Sequence, residues 1–143
     1  TKKGISHFHR EHGFSESPYN ALKIGLVKER AALYSDIEKR VDRMMEDGLP
    51  DETKRLLKMG YSSDLKPMRA LGYKEMIGFL EGRFTLDSAV AELKKNTRRY
   101  AKRQLTWFRK DPEIKWLKPE ETEKFSKLVE RHLKGAPAAI PPF

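Results

Sequence analysis

The chain has 143 residues, of which 38% are hydrophobic and 36% charged, enough apolar material for one modest core and too much for wholesale disorder. No apolar run approaches the roughly 20 residues of a membrane-spanning helix, and the lack of cysteine excludes a disulfide framework and any thiolate metal site. Thirty Lys and Arg against 21 Asp and Glu give a formal charge of +9, a field that favours a polyanion: nucleic acid, an anionic membrane face or a phosphorylated ligand.

Residues 1–20 are polar, carry Gly4, Gly13 and Pro18, and read as a linker or coil. The chain opens on Thr1 without a signal-peptide pattern, and is expected to be a piece of a longer protein. ALKIGLV at 21–27 is a short apolar run suited to a buried parallel strand. An amphipathic helix follows, with Leu33, Ile37, Val41, Met44 and Met45 at three- and four-residue spacing and Gly48 at its end. Pro50 opens a short helix with Asp51 and Glu52 in its first turn, Leu56 and Leu57 as core residues, and Gly60 as terminator.

Pro67 marks the next helical start. Met68, Leu71, Met76, Phe79 and Leu80 form its packed side, Gly72 and Gly78 lie inside it, and Gly82 closes it. Thr85 caps a long helix that runs to about Lys110. IKWL at 114–117 is a second short strand, and a last amphipathic helix carries Phe125, Leu128, Val129 and Leu133 before a proline-rich tail, 136–143, expected to be disordered. The fold class is therefore mostly α with one or two short strands. Two such strands do not make a self-sufficient sheet, so they are expected to complete one supplied by an absent N-terminal part.

The long helix is the most informative segment. Lys94, Lys95, Arg98, Arg99, Lys102, Arg103, Arg109 and Lys110 occur with no acid between Glu92 and Asp111. At about 100° per residue they fall on one broad sector, opposite Val90, Leu93, Thr97, Tyr100, Ala101, Gln104, Leu105 and Phe108. Like charges stand four apart, a mildly destabilising arrangement that an anion would relieve. A membrane-surface helix would expose large apolar side chains, which here are needed for a core. Arg, Gln, Tyr and Trp instead suit RNA, through phosphate contacts, base edges and stacking planes.

Other candidates carry less. His7, His9 and His12 could hold a transition metal in a loop but do not form HExxH, and read as a surface cluster; His132 stands alone. Arg30 follows the first strand, where α/β proteins place ligands, and Arg40 lies about three turns further on. Surface salt bridges to Glu29, Glu38 or Asp42 are the alternative for both. There is no GxxxxGK[ST] loop and no nucleophile–base set.

RALGYKE at 69–75, TRRYAKRQLTWFR at 97–109 and Trp116-Leu117 closely resemble the C-terminal part of the tRNA dimethylallyltransferases, also called tRNA isopentenyltransferases. Ile24, Gly25, Leu26, Arg30, Leu33, Tyr34, Ile37, Arg40, Val41, Met45, Gly48 and Leu49 follow the same pattern in order, so that the resemblance spans roughly residues 20–117. It implies a P-loop-type α/β core with an inserted helical domain. The implied reaction is Mg²⁺-dependent transfer of a dimethylallyl group from dimethylallyl diphosphate to the exocyclic amine of the adenosine 3′ of the anticodon. The implied full-length enzyme is monomeric, cytoplasmic and bacterial in type, and its partner is the tRNA anticodon stem-loop.

Carried over by residue, one tRNA-contacting stretch is Arg69, Leu71, Gly72, Tyr73 and Lys74. The other is Lys102, Arg103, Gln104, Thr106, Trp107 and Arg109, with Arg98 and Arg99 on the same basic stripe. Arg30 aligns with an arginine at the donor's diphosphate. For Trp107, packing in the core ranks above stacking on a base. The P-loop, the catalytic aspartate and most of the Mg²⁺ site belong to the absent part, so residues 21–117 are expected to be tRNA-binding core and inactive alone, with 118–135 a C-terminal helix. A non-enzymatic helical RNA-binding module and a domain docking an acidic protein are the rival readings.

Overall fold

The computed structural model describes residues 20–135; the N-terminal coil, the three histidines at 7, 9 and 12, and the tail from 136 lie outside the described residues. In chain order the elements are β1 (Ile24–Leu26), α1 (Arg30–Glu46), α2 (Leu49–Lys58), a 3₁₀ turn (Lys66–Arg69), α3 (Tyr73–Leu80), α4 (Leu86–Phe108), β2 (Lys115–Leu117) and α5 (Thr122–Gly135). They form two compact units, one running from Lys28 to Pro112 and the other made from the chain on either side of it.

The flanking unit holds both strands. They pair with each other, in parallel, with Ile24 opposite Lys115, Gly25 opposite Trp116 and Leu26 opposite Leu117. The whole four-helix unit is the crossover that a parallel pair requires. Trp116 lies against Gly25 so closely that a β-carbon there would meet its ring at 2.7 Å, which accounts for a glycine inside a strand. In α5 no residue is buried: Phe125 and Leu133 remain 47% and 67% exposed, so its apolar stripe covers no core among the described residues. His132 Nε2 lies 2.9 Å from the carbonyl of Asn20.

The helical unit packs α1, α2, α3 and α4 around Val41, Leu49, Met76, Ala89 and Leu93. The α1 periodicity places Ile37 and Val41 inside as expected. In α2 the expectation is corrected: Leu49 and Thr53 are the buried residues, while Leu56 and Leu57 are half-buried. Thr53 was hidden by its polarity. Its hydroxyl donates to the Leu49 carbonyl at 2.8 Å, so it enters the core with its hydrogen bond made.

The helix expected from Pro67 is also corrected. It is a 3₁₀ turn, a break, and then α3. Gly72 is not inside a helix but caps α3 with φ of +100°, a backbone region that a side chain makes costly. Gly72→Ala is expected to lower the stability of the helical unit by about 1–3 kcal/mol, read as a shift of the urea midpoint at unchanged m-value. Gly78, by contrast, lies within α3 beneath the ring of Phe84, 2.6 Å from where a β-carbon would stand. Thr85 caps α4 as expected, its hydroxyl accepting from the Ser88 N–H.

Candidate nucleic-acid interface

Helix α4 is about 35 Å long and divides along its length. Its N-terminal half supplies Ala89 and Leu93 to the core, whereas no residue from Thr97 onward is buried. The basic stripe divides with it. Lys94 binds Asp42 at 2.5 Å and Arg98 binds Glu38 at 2.6 Å, so those two cations fasten α4 to α1; Lys95 binds Glu92 at 2.7 Å. Arg99, Lys102, Arg103, Arg109 and Lys110 form no ion pair among the described residues, although, after the hydrogen bond from Lys95, the Arg99 charge helps to lower the Glu92 pKa.

A shallow concavity of about 460 Å³ is lined by Arg99, Lys102, Arg103, Thr106, Trp107 and Lys110. Trp107 is 67% exposed and Phe108 40%, their rings edge-to-face with centroids 4.9 Å apart. The expectation that Trp107 packs in the core is therefore corrected. Tyr100, placed on the packing side by the helical wheel, is likewise 47% exposed, and the Arg103 guanidinium lies 5.9 Å from its ring centre. Gln104 donates to the Tyr100 hydroxyl at 3.3 Å, and the Thr106 hydroxyl is turned back onto the Lys102 carbonyl at 2.9 Å. Cations beside an exposed indole provide phosphate attraction and a stacking plane together.

The second stretch, 69–74, is arranged differently. Leu71 and Tyr73 pack against the core, and the Tyr73 hydroxyl donates to Glu52 at 2.6 Å; that hydrogen bond to a carboxylate raises the phenol above its usual pKa. Leu71, Gly72 and Tyr73 thus form a scaffold. The accessible cations are Lys74 and Arg69, the latter in an exposed pair with Asp64 at 2.9 Å. Arg69, Lys74 and Asn96 of α4 line one cleft of about 750 Å³. Its buried wall is Glu75, which is only 3% exposed. Sequence reading assigned Glu75 no role, although a Glu three residues after a helix cap is a legible capping signal.

Arg30 is the first residue of α1 and is exposed. Its Nε donates to the Tyr34 hydroxyl at 3.2 Å, which leaves the terminal nitrogens of the guanidinium for an anion. The helix N-terminus beside it already holds one anion, since Glu29 accepts from the N–H groups of Ala31 and Ala32. Neither Glu29, Glu38 nor Asp42 pairs with Arg30 or Arg40; the first caps α1 and the other two bind α4. Among the described residues no three His, Asp or Glu side chains come together as a metal-holding group. None of the described helices is long and apolar enough to cross a membrane.

A family profile described as IPP transferase matches residues 1–111. The chain is 51% identical over 126 residues to tRNA dimethylallyltransferase 2 of Syntrophus aciditrophicus, covering 88% of this chain and 40% of that protein. It is 55% identical over 120 residues to the tRNA dimethylallyltransferase of Pelotomaculum thermopropionicum, covering 84% and 38%. Among solved structures, the full-length tRNA isopentenylpyrophosphate transferase of Bacillus halodurans superposes with a TM-score of 0.78 at 41% identity, over 85% of this chain and 42% of that one. The chain thus spans about two fifths of the length of the curated relatives it matches.

Proposed function

Because the chain belongs to the IPP transferase family, we propose that it is the tRNA-gripping portion of a cytoplasmic tRNA dimethylallyltransferase. The observation that carries this reading is the C-terminal half of α4, where Arg99, Lys102, Arg103 and Lys110 surround an exposed Trp107 and form no ion pair with a carboxylate among the described residues. An acidic protein would satisfy the charge alone. The indole beside the cations and the names of the relatives favour RNA.

In the proposed reaction the exocyclic amine of an adenosine attacks the allylic carbon of dimethylallyl diphosphate. The new N–C bond forms as the C–O bond breaks, diphosphate leaves with the electron pair, and the amine gives up a proton. The target base must first leave its stack, at a cost of a few kcal/mol. This chain's residues meet that cost by binding: Arg99, Lys102, Arg103, Arg109 and Lys110 hold phosphates of the stem-loop, and Trp107 offers a face to an unstacked loop base. Gln104 and Arg103 are placed to reach base edges. Lys94 and Arg98 are tied to Asp42 and Glu38, so Arg98 is the least available of the cations offered to the RNA. Arg69 and Lys74 supply a second, weaker contact in a cleft that also carries Asp64, Glu75, Glu81 and Glu92, and Arg69 exchanges its exposed Asp64 partner for a phosphate at little cost.

The proposal extends to Arg30 as a ligand of the donor's diphosphate, with the fork of its guanidinium facing the leaving group. In the natural full-length protein, Arg30→Ala is expected to raise KM for dimethylallyl diphosphate about tenfold or more with KM for tRNA unchanged. Steady-state kinetics with each substrate varied separately check this. Unaltered donor dependence would remove Arg30 from the donor site and leave the α4 reading intact.

A further inference from the structure

The Glu75 carboxylate is buried, and its two oxygens are divided between two elements. Oε2 accepts the backbone N–H of Gly72 at 2.9 Å, closing the turn that starts α3 and holding Gly72 at its positive φ. Oε1 accepts Nδ2 of Asn96, on α4, at 3.0 Å, and lies 3.4 Å from the ammonium of Lys74. A carboxylate only accepts, so Asn96 must present its amide N–H₂ and not its oxygen. Nothing in the local folding of α3 requires the second bond. A helix cap needs one oxygen, and the other reaches across to a different helix.

Those two elements are the ones that carry the proposed RNA contacts: Arg69 to Lys74 on one side, and α4 from Arg99 onward on the other. Asn96 lies one turn before the stretch of α4 whose cations form no ion pair among the described residues. We propose that Glu75 and Asn96 are positioning residues: through one shared carboxylate they lock the Gly72–Lys74 turn to α4, so that Arg69 and Lys74 meet the stem-loop at a fixed spacing from the basic half of α4. This inference rests on the RNA reading above and adds a coupling between its two halves. A buried hydrogen bond to a charged group is strong and geometrically strict, which suits a joint of this kind.

The test measures stem-loop affinity of the natural full-length protein across a salt series, with thermal unfolding alongside. In Asn96→Ala the Gly72 cap survives and α4 keeps a good helix former, so the fold is retained while the joint is cut. Affinity is expected to fall about tenfold. The slope of log K against log salt should become shallower by about one, since one edge no longer engages its phosphate. Asn96→Asp sets carboxylate against carboxylate and should bind more weakly still. Glu75→Gln combined with Asn96→Asp reverses donor and acceptor across the same gap, keeps an oxygen for the Gly72 N–H, and should restore affinity and slope to within about twofold of the parent.

A purely structural role would lower the unfolding midpoint of Asn96→Ala and leave the salt slope of the folded protein as it was, and that result overturns the proposal. Failure of the double exchange to recover the slope, in a variant that remains folded, overturns it also. A parent protein whose RNA affinity does not respond to salt would instead refute the RNA reading on which the proposal stands. The parent curve alone separates that case from the others.

Discussion

Reversing two charges on α4 together, Lys102→Glu with Arg103→Glu, is expected to reduce stem-loop affinity by about a hundredfold at moderate salt. Both side chains are exposed and neither has a carboxylate partner among the described residues, so the folded state loses no ion pair. The loss comes from two phosphate contacts and from the new repulsion between phosphate and glutamate. Each contact removed should flatten the log–log salt dependence by about 0.7–0.9, which a filter-binding or anisotropy titration reads directly. Arg103→Glu alone should show about half the logarithmic effect. Equal affinity of parent and double variant at unchanged fold would take the grip away from this helix.

Leu93→Ala should do the opposite. Leu93 is 1% exposed at the centre of the helical unit and packs with Val41, Leu49, Met76 and Ala89. Truncation leaves a cavity that the surrounding helices only partly fill, and the expected destabilisation is about 2–5 kcal/mol. Urea unfolding followed by circular dichroism measures it. The RNA affinity of the molecules that remain folded should stay close to that of the parent, because Leu93 lies on the part of α4 that faces the core. The two variants therefore separate what α4 does for the fold from what it does for the ligand, a division the ion pairs to Asp42 and Glu38 draw at about Arg98.

Much of this was legible in the sequence because it follows from periodicity and punctuation. The spacing of Ile37 and Val41, the glycines at 48, 60 and 82, and the Thr85 cap place α1, α2, the end of α3 and the start of α4 within a few residues of where they lie. What was not legible depends on contacts across the chain. The split of the helix after Pro67 turns on Gly72, whose positive φ is stabilised by Glu75. A helical wheel also cannot tell that no α4 residue beyond Leu93 is fully buried among the described residues, so that Tyr100 and Phe108, on its packing side, are exposed. The same limit hid the sorting of the basic stripe. Lys94 and Arg98 look like Lys102 and Arg103 in sequence, and only the register of α1 against α4 gives the first pair their acids.

The two strands show the reverse case. Their existence was readable from ALKIGLV and IKWL, and a parallel setting from the first, while their pairing with each other was not, since register is a property of two segments and neither is long enough to declare it. The buried Thr53 and Glu75 were passed over for a simpler reason: a polar residue enters a core only when its hydrogen bonds are already provided, and that provision is visible in space alone.

The measurement that bears most directly on the central claim is a titration of the chain with a labelled anticodon stem-loop carrying the target adenosine, at about 50 and about 200 mM salt. A stem-loop of equal length and altered loop sequence runs in parallel. With the five cations from Arg99 to Lys110 engaged, affinity should fall by about a hundredfold between the two salts, and the target loop should bind more tightly than the altered one. Binding that ignores salt, or no binding to either RNA, would contradict the assignment of the C-terminal half of α4 as the RNA grip.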